Sequence, residues 1–118
     1  MHRAFIVCGT PAAGKTTYGK ELARKEHAVF LDIDTSTERL VRLALQLSRH
    51  DPDDRDSPYF KEHFREPVYE QLFDIARENL QHVSVVIAGP FTRELSDPEW
   101  CGKLALRLGA SVEVHYLR

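Results

Sequence analysis

Cysteine is scarce in this chain, with Cys8 and Cys101 the two present among 118 residues. No C-x-x-C pair or dense secreted-type spacing occurs, so neither a disulfide framework nor a zinc-thiolate site is expected, and both thiols read as reduced, packed side chains. The six histidines form no H-E-x-x-H or other zinc-ligand spacing. Long apolar runs are also missing: nothing approaches the ~20 consecutive apolar residues that a spanning helix requires, so no membrane partner is expected. Nor does one sign of charge dominate. The 16 Lys and Arg against 18 Asp and Glu leave a net charge of −2, whereas nucleic acids and membrane surfaces recruit clustered positive charge. Together these absences lead us to expect a reducing, cytoplasmic setting.

The chain is 42% apolar, and a domain of this length buries roughly two thirds of the surface its unfolded form exposes. That suits a single domain over residues 1–118. Residues 3–8 (RAFIVC) are a short β-branched and aromatic run without helical period, bounded by Gly9-Thr10-Pro11, which predicts a buried strand. A helix is expected from 14 to 26, and a second buried strand over 28–33 (AVFLDI). Thr35 and Glu38 have capping-box spacing, and Leu40, Leu43, Ala44 and Leu47 repeat at helical intervals, predicting a helix over 37–49. The stretch 50–58 (HDPDDRDSP) is a polar loop, with Ser57 as N-cap and Pro58 in the first turn of the next helix. That helix has Phe60, Phe64, Val68, Leu72, Ile75 and Leu80 as its apolar stripe. Pro67 removes a backbone donor within it, so a kink or two abutting helices are expected. Residues 83–88 (VSVVIA) form a third strand. A helix begins at Asp97-Pro98, with Trp100, Leu104 and Leu108 inward and Gly109 ending it. A fourth strand covers 111–117. The order β-α-β-α-α-β-α-β implies a parallel sheet sandwiched between helices.

Between the first strand and first helix lies Gly9-Thr10-Pro11-Ala12-Ala13-Gly14-Lys15-Thr16, a match to G-x-x-x-x-G-K-[ST] in the context this motif needs. Glycines permit a tight loop whose N–H groups converge on an anion, and the helix behind it points its positive end at the same place. Lys15 is the residue to reach the β- and γ-phosphates of ATP, Thr16 to ligate Mg²⁺, and Gly9 through Thr17 to cradle the nucleotide. The second strand ends in Asp32-Ile33-Asp34, at the carboxyl end of the sheet where ligands bind in open α/β folds. Asp32 is the candidate second Mg²⁺ ligand, because the third strand ends in Ala88-Gly89 without a carboxylate; the other reading is that Asp32 and Asp34 only cap or turn the chain into the helix start at Thr35–Glu38.

With no N-K-x-D segment and this D-x-D placement, the chain from about residue 3 to 117 resembles the small P-loop kinases. That group includes shikimate and gluconate kinases and the zeta-toxin-like and chloramphenicol phosphotransferase-like proteins. The resemblance implies a nucleoside-monophosphate-kinase-like three-layer fold and transfer of the γ-phosphate to a hydroxyl of a small molecule. It implies that Asp32 helps hold Mg²⁺ and that Asp34 orients or deprotonates the acceptor hydroxyl. Arg65, before Pro67, resembles a substrate-binding arginine of shikimate-kinase-like enzymes; a solvated helix charge is the other reading. Arg93, in Gly89-Pro90-Phe91-Thr92-Arg93, is the second candidate to meet acceptor or phosphate. Glu62, Glu70 and Glu94 stand out from no ordinary surface charge, and Tyr69 and Trp100 are expected in the core. Such kinases continue into a lid and a fifth strand, so this reading takes the chain as incomplete, with an edge strand open to self-association. Two other functions stay open: a nucleic-acid 5′-hydroxyl kinase, and a non-catalytic nucleotide-binding chain acting through a partner.

Overall fold

The computed structural model describes residues 1–10 and 12–118. Its elements, in chain order, are β1 (Arg3–Gly9), α1 (Lys15–Glu26), β2 (Val29–Asp32), α2 (Ile33–Leu47), α3 (Pro58–His63), α4 (Arg65–Leu80), β3 (Val85–Ala88), a 3-10 turn (Glu94–Ser96), α5 (Trp100–Leu108) and β4 (Ser111–Leu117). The four strands form one sheet in the order β2-β3-β1-β4, every pair parallel. Each chain-adjacent pair of strands is therefore joined by helices crossing over the sheet.

Alternation along the strands divides the interior in two. Ala4, Ile6 and Cys8 of β1, with Val85 and Ile87 of β3, face one side and pack on Tyr69, Leu72, Phe73 and Ala76 of α4 and Leu104 and Leu108 of α5. Phe5 and Val7, with Val86 and Ala88, face the other and pack on Ala23, Tyr18 and Leu22 of α1. Burial on both faces explains why these strands read as unbroken apolar runs rather than as polar-apolar alternation. A smaller cluster of Val41, Leu45 and Phe60 joins α2 to α3, away from the sheet.

Several expectations need correction. Helix α2 begins at Ile33, not at residue 37, because the Asp32 carboxylate rather than the Thr35–Glu38 pair caps it. Its buried positions are Thr37, Val41 and Leu45, whereas Leu40, Leu43, Ala44 and Leu47 point outward. Cys8 is buried as expected, but Cys101 is exposed on α5. The long helical stretch does divide into two. The break falls at Phe64, leaving Pro67 in the first turn of α4, where no intrahelical donor is required. Ser57 caps α3 by accepting from the Phe60 N–H at 3.1 Å. Tyr69 is buried, and Trp100 packs against the core from its edge. No helix among the described residues is long and apolar enough to cross a membrane.

Candidate functional site

At the carboxyl end of β1 the chain turns back on itself within a few residues. Gly9 has φ +144°, and a Cβ there would sit 2.0 Å from the backbone oxygen of Leu117 on β4, so the close approach of strand and loop requires glycine. The Thr10 N–H donates to that same oxygen at 3.4 Å, and the Ala13 N–H donates to Thr10 O at 3.2 Å. Ala12 is left-handed at φ +62°. Gly14, at φ +84°, is the N-cap of α1 and offers no side-chain cap, and the first turn of α1 contains no acidic residue. The positive end of α1 therefore faces the loop without a side-chain counter-charge. Lys15 folds over the loop, its Nζ donating to Gly9 O at 3.1 Å and Thr10 O at 3.3 Å. Pro11 lies outside the described residues.

This loop walls a cavity of about 490 Å³ lined by Ala12, Ala13, Gly14, Lys15, Thr16 and Thr17 together with Asp32, Ile33, Asp34, Ala88, Gly89 and Pro90. The expected phosphate-binding residues from Ala12 to Thr17 are thus brought together with both aspartates. Asp32 has two engagements: its Oδ1 accepts from the Asp34 N–H at 3.4 Å and its Oδ2 from the Thr35 hydroxyl at 3.3 Å. These bonds are long, and they start α2 while leaving the carboxylate on the cavity wall. Partial desolvation pushes the Asp34 carboxyl above the ordinary carboxylate range. Repulsion from Asp32 and Glu38 adds to the rise, and Arg55 and Lys15 oppose it.

The donor set suits a polyphosphate and its cation. Uncapped N–H groups, an ammonium and a hydroxyl converge on one cavity, which is what phosphate oxygens require. Among the described residues no group of three His, Cys, Asp or Glu side chains could hold a metal unaided. A divalent ion here would rest on the Thr16 hydroxyl and the Asp32 carboxylate and take its other ligands from phosphate and water, as Mg²⁺ does in such sites.

A second cavity, about 460 Å³, adjoins the first and shares Ile33, Asp34 and Pro90 with it. Its apolar wall includes Val41, Phe60, Val68 and Tyr69, and its polar groups are Asp34, Thr37, Glu38, Asp53, Arg55 and Arg65. Arg65, the first residue of α4, donates to both carboxylate oxygens of Glu94, at 3.1 and 3.4 Å, and lies over the Tyr69 ring at 5.4 Å. Its Nε is buried and has no partner among the described residues. Arg65 is therefore a packed cavity residue and not a solvated helix charge.

Arg93 is not brought into either cavity. It is exposed and lines a groove between α4 and α5 with Glu94, Trp100 and Lys103, one that shares Arg65 and Tyr69 with the second cavity. The cause lies two residues earlier: Phe91, fully buried and left-handed at φ +48°, anchors the chain in the core and turns Thr92 and Arg93 away from the sheet end.

Sequence reasoning passed over Arg55 and Glu38. Arg55 pairs with Glu38 and donates to the backbone oxygens of Pro52 at 2.9 Å and Asp54 at 2.6 Å, tying the 50–57 loop to α2. The available signal was a lone arginine amid Asp51, Asp53, Asp54 and Asp56, in a loop beyond the strand that carries Asp32.

A parallel sheet, a glycine-framed loop leading into an uncapped helix and a lysine folded over that loop define a P-loop α/β domain. Residues 5–118 match the AAA_33 family, described as an AAA domain, and the chain belongs to that family. Solved structures share the fold. A candidate kinase from Chloroflexus aurantiacus is 20% identical, with a TM-score of 0.69 over 98% of this chain and 59% of that one. A sugar kinase from Janibacter sp. is 16% identical, with a TM-score of 0.66 over 100% and 61%. A gluconokinase from Sinorhizobium meliloti is 14% identical, with a TM-score of 0.57 over 97% and 56%. The chain thus spans less than two thirds of the length of these structures. No match was found among curated proteins.

Proposed function

We propose that this chain carries the phosphate- and acceptor-binding part of a P-loop kinase, which moves the γ-phosphoryl group of Mg·ATP to a hydroxyl of a small molecule. The observation that carries the reading is that the phosphate-type cavity and the half-apolar cavity beside it meet at Asp34. Phosphoryl transfer depends on bringing two reactants into line, so adjoining cavities with one carboxylate at the junction suit it. The relatives' names, a sugar kinase and a gluconokinase among them, point the same way.

In this reading Lys15 leaves the Gly9 and Thr10 carbonyls to meet the β- and γ-phosphates. Thr16 and Asp32 hold the cation, which when bound supplies charge neutralisation at the phosphate oxygens. Asp34 accepts a hydrogen bond from the acceptor hydroxyl and aims its oxygen at the phosphorus. As the new O–P bond forms, the bond to the departing ADP breaks and the hydroxyl proton passes to Asp34 or to water. A carboxyl held above its usual range is a better proton acceptor than an ordinary aspartate, while orientation remains its larger contribution. Arg65, on the wall of the second cavity, meets an electronegative atom of the acceptor through its guanidinium. The second cavity places Asp34, Glu38 and Asp53 against Arg55 and Arg65, a balance that favours a small acceptor over a nucleic-acid end.

Calorimetry with Mg·ATP on the wild-type chain and Lys15→Ala tests the first half of the proposal. Binding lost or weakened at least about tenfold is expected, and equal binding by both would remove the phosphate-site assignment. A metabolite panel scored for ATP-dependent phosphorylation, repeated with Asp34→Asn, tests the second half. Nucleotide binding should survive and transfer should fall by about a hundredfold or more.

A further inference from the structure

Helix α2 has an apolar ridge that nothing in the described residues covers. Leu40, Leu43 and Leu47 are 69%, 49% and 77% exposed, and Ala44 between them is exposed as well. Single exposed leucines are ordinary, but four apolar residues at i, i+3, i+4 and i+7 form a continuous patch of the kind that marks an interaction surface. The ridge lies about 100° around the helix from the buried stripe of Thr37, Val41 and Leu45. The helix is therefore apolar on two adjacent faces, and the fold uses one.

The border of the ridge is one-sided in charge. Along one flank run Arg39, Arg42 and Gln46, with Arg49 just past the helix end. Arg42 pairs with Asp53, while Arg39 and Arg49 have no acidic partner among the described residues. The two carboxylates of α2 are both elsewhere, Asp34 in the cavities and Glu38 held by Arg55. The other flank is the buried stripe itself.

We propose that this ridge docks an amphipathic helix of a partner protein whose own apolar stripe is flanked by carboxylates. Its leucines would interleave with Leu40, Leu43 and Leu47, and its acidic flank would neutralise Arg39 and Arg49. A second copy of this chain fits worse. An antiparallel pairing that lays Leu40 on Leu47 of the other copy sets Arg39 beside the other Arg49, so like charges meet, and a parallel two-fold pairing sets the arginine flank of each copy against the side on which the other's buried stripe already packs on Phe60, Phe64 and Val68. The docked helix would grip the element that carries Asp34 in its first turn and Thr37, Glu38 and Val41 in the cavity wall, which places a partner one helix thickness from the acceptor site.

Two synthetic peptides of about 20 residues test this by fluorescence anisotropy, both helical with leucines at i, i+3, i+4 and i+7, one flanked by Glu and the other by Lys. The Glu-flanked peptide should bind the full chain at least about tenfold more tightly than the Lys-flanked one. Leu43→Ser should weaken that binding about tenfold, and Arg39→Glu should reverse the preference. Both substitutions are at exposed positions, and unchanged melting temperatures and Mg·ATP affinity verify that the fold is intact. Failure of both peptides to bind, equal affinity for the two, or indifference to Leu43→Ser would each overturn the proposal. So would light scattering that finds a dimer which Leu43→Ser makes monomeric, since a second copy would then be the occupant.

Discussion

Two glycines in the loop carry different burdens, and substitution separates them. At Gly9 an alanine meets both an unfavourable φ of +144° and the Leu117 oxygen 2.0 Å from its Cβ, so β1 and β4 must part for it to fit. A loss of about 3 kcal/mol or more is expected. At Gly14, where φ is +84° and nothing lies within 4 Å, the same change meets only the backbone penalty of about 1–2 kcal/mol. Denaturant titration of the two variants measures the difference, and similar losses would contradict the crowding argument. Asp34 provides a test of opposite sign. Its folded pKa lies above its unfolded value, so the stability associated with its protonated form is complete below the unfolded pKa and is lost as pH rises through the folded one. Asp34→Asn is uncharged throughout. It should therefore raise the melting temperature of the nucleotide-free, metal-free chain at pH 7 and lose that advantage near pH 3; a lower melting temperature at pH 7 would refute the sign.

At the level of elements, the start of α2 joins stability to the site through one side chain. Asp32 ends β2, caps α2 and faces the phosphate-type cavity. Asparagine caps helices about as well as aspartate but carries no charge, whereas alanine does neither. Asp32→Ala should cost about 1 kcal/mol of stability and also weaken the Mg²⁺-dependent part of ATP binding. Asp32→Asn should keep the stability and lose only the Mg²⁺-dependent part. Thermal melts beside calorimetry with and without Mg²⁺ distinguish the two effects. The same helix illustrates what periodicity conveys and what it omits. A repeat at 40, 43, 44 and 47 correctly announces a helix, yet Thr37, Val41 and Leu45 form a second repeat, and only the position of α3 and α4 decides which faces inward. The strands were easier to read because burial on both faces leaves them apolar throughout. The P-loop was easiest, since its chemistry is local: a few consecutive residues supply the turn, the helix end and the lysine.

Across the whole molecule, the site residues that sequence misplaced or missed depend on contacts between distant segments. Arg93 is close in sequence to the end of β3, but Phe91 redirects the chain by entering an aromatic cluster with Tyr69, Phe73 and Trp100 at centroid distances of 5.1, 6.1 and 5.4 Å. Arg55 gains its place on the cavity wall through Glu38, 17 residues away, a pairing that no local pattern announces. Phe91 is also a point at which the interior is open to damage. Removing its ring should cost about 3–5 kcal/mol, a large share of the 5–15 kcal/mol typical of a domain. Urea unfolding of Phe91→Ala measures this, and a loss under about 1 kcal/mol would show that the cluster is not a structural anchor. The shared wall of Ile33, Asp34 and Pro90 bears on inhibitor chemistry. A polyphosphate and a small hydroxyl compound that fits the second cavity, joined by a short uncharged linker over Asp34, could occupy both cavities as one molecule. The second half would then bind at a local concentration in the millimolar range, and the joined compound could exceed either half in affinity by about 10²–10⁴ without one added contact.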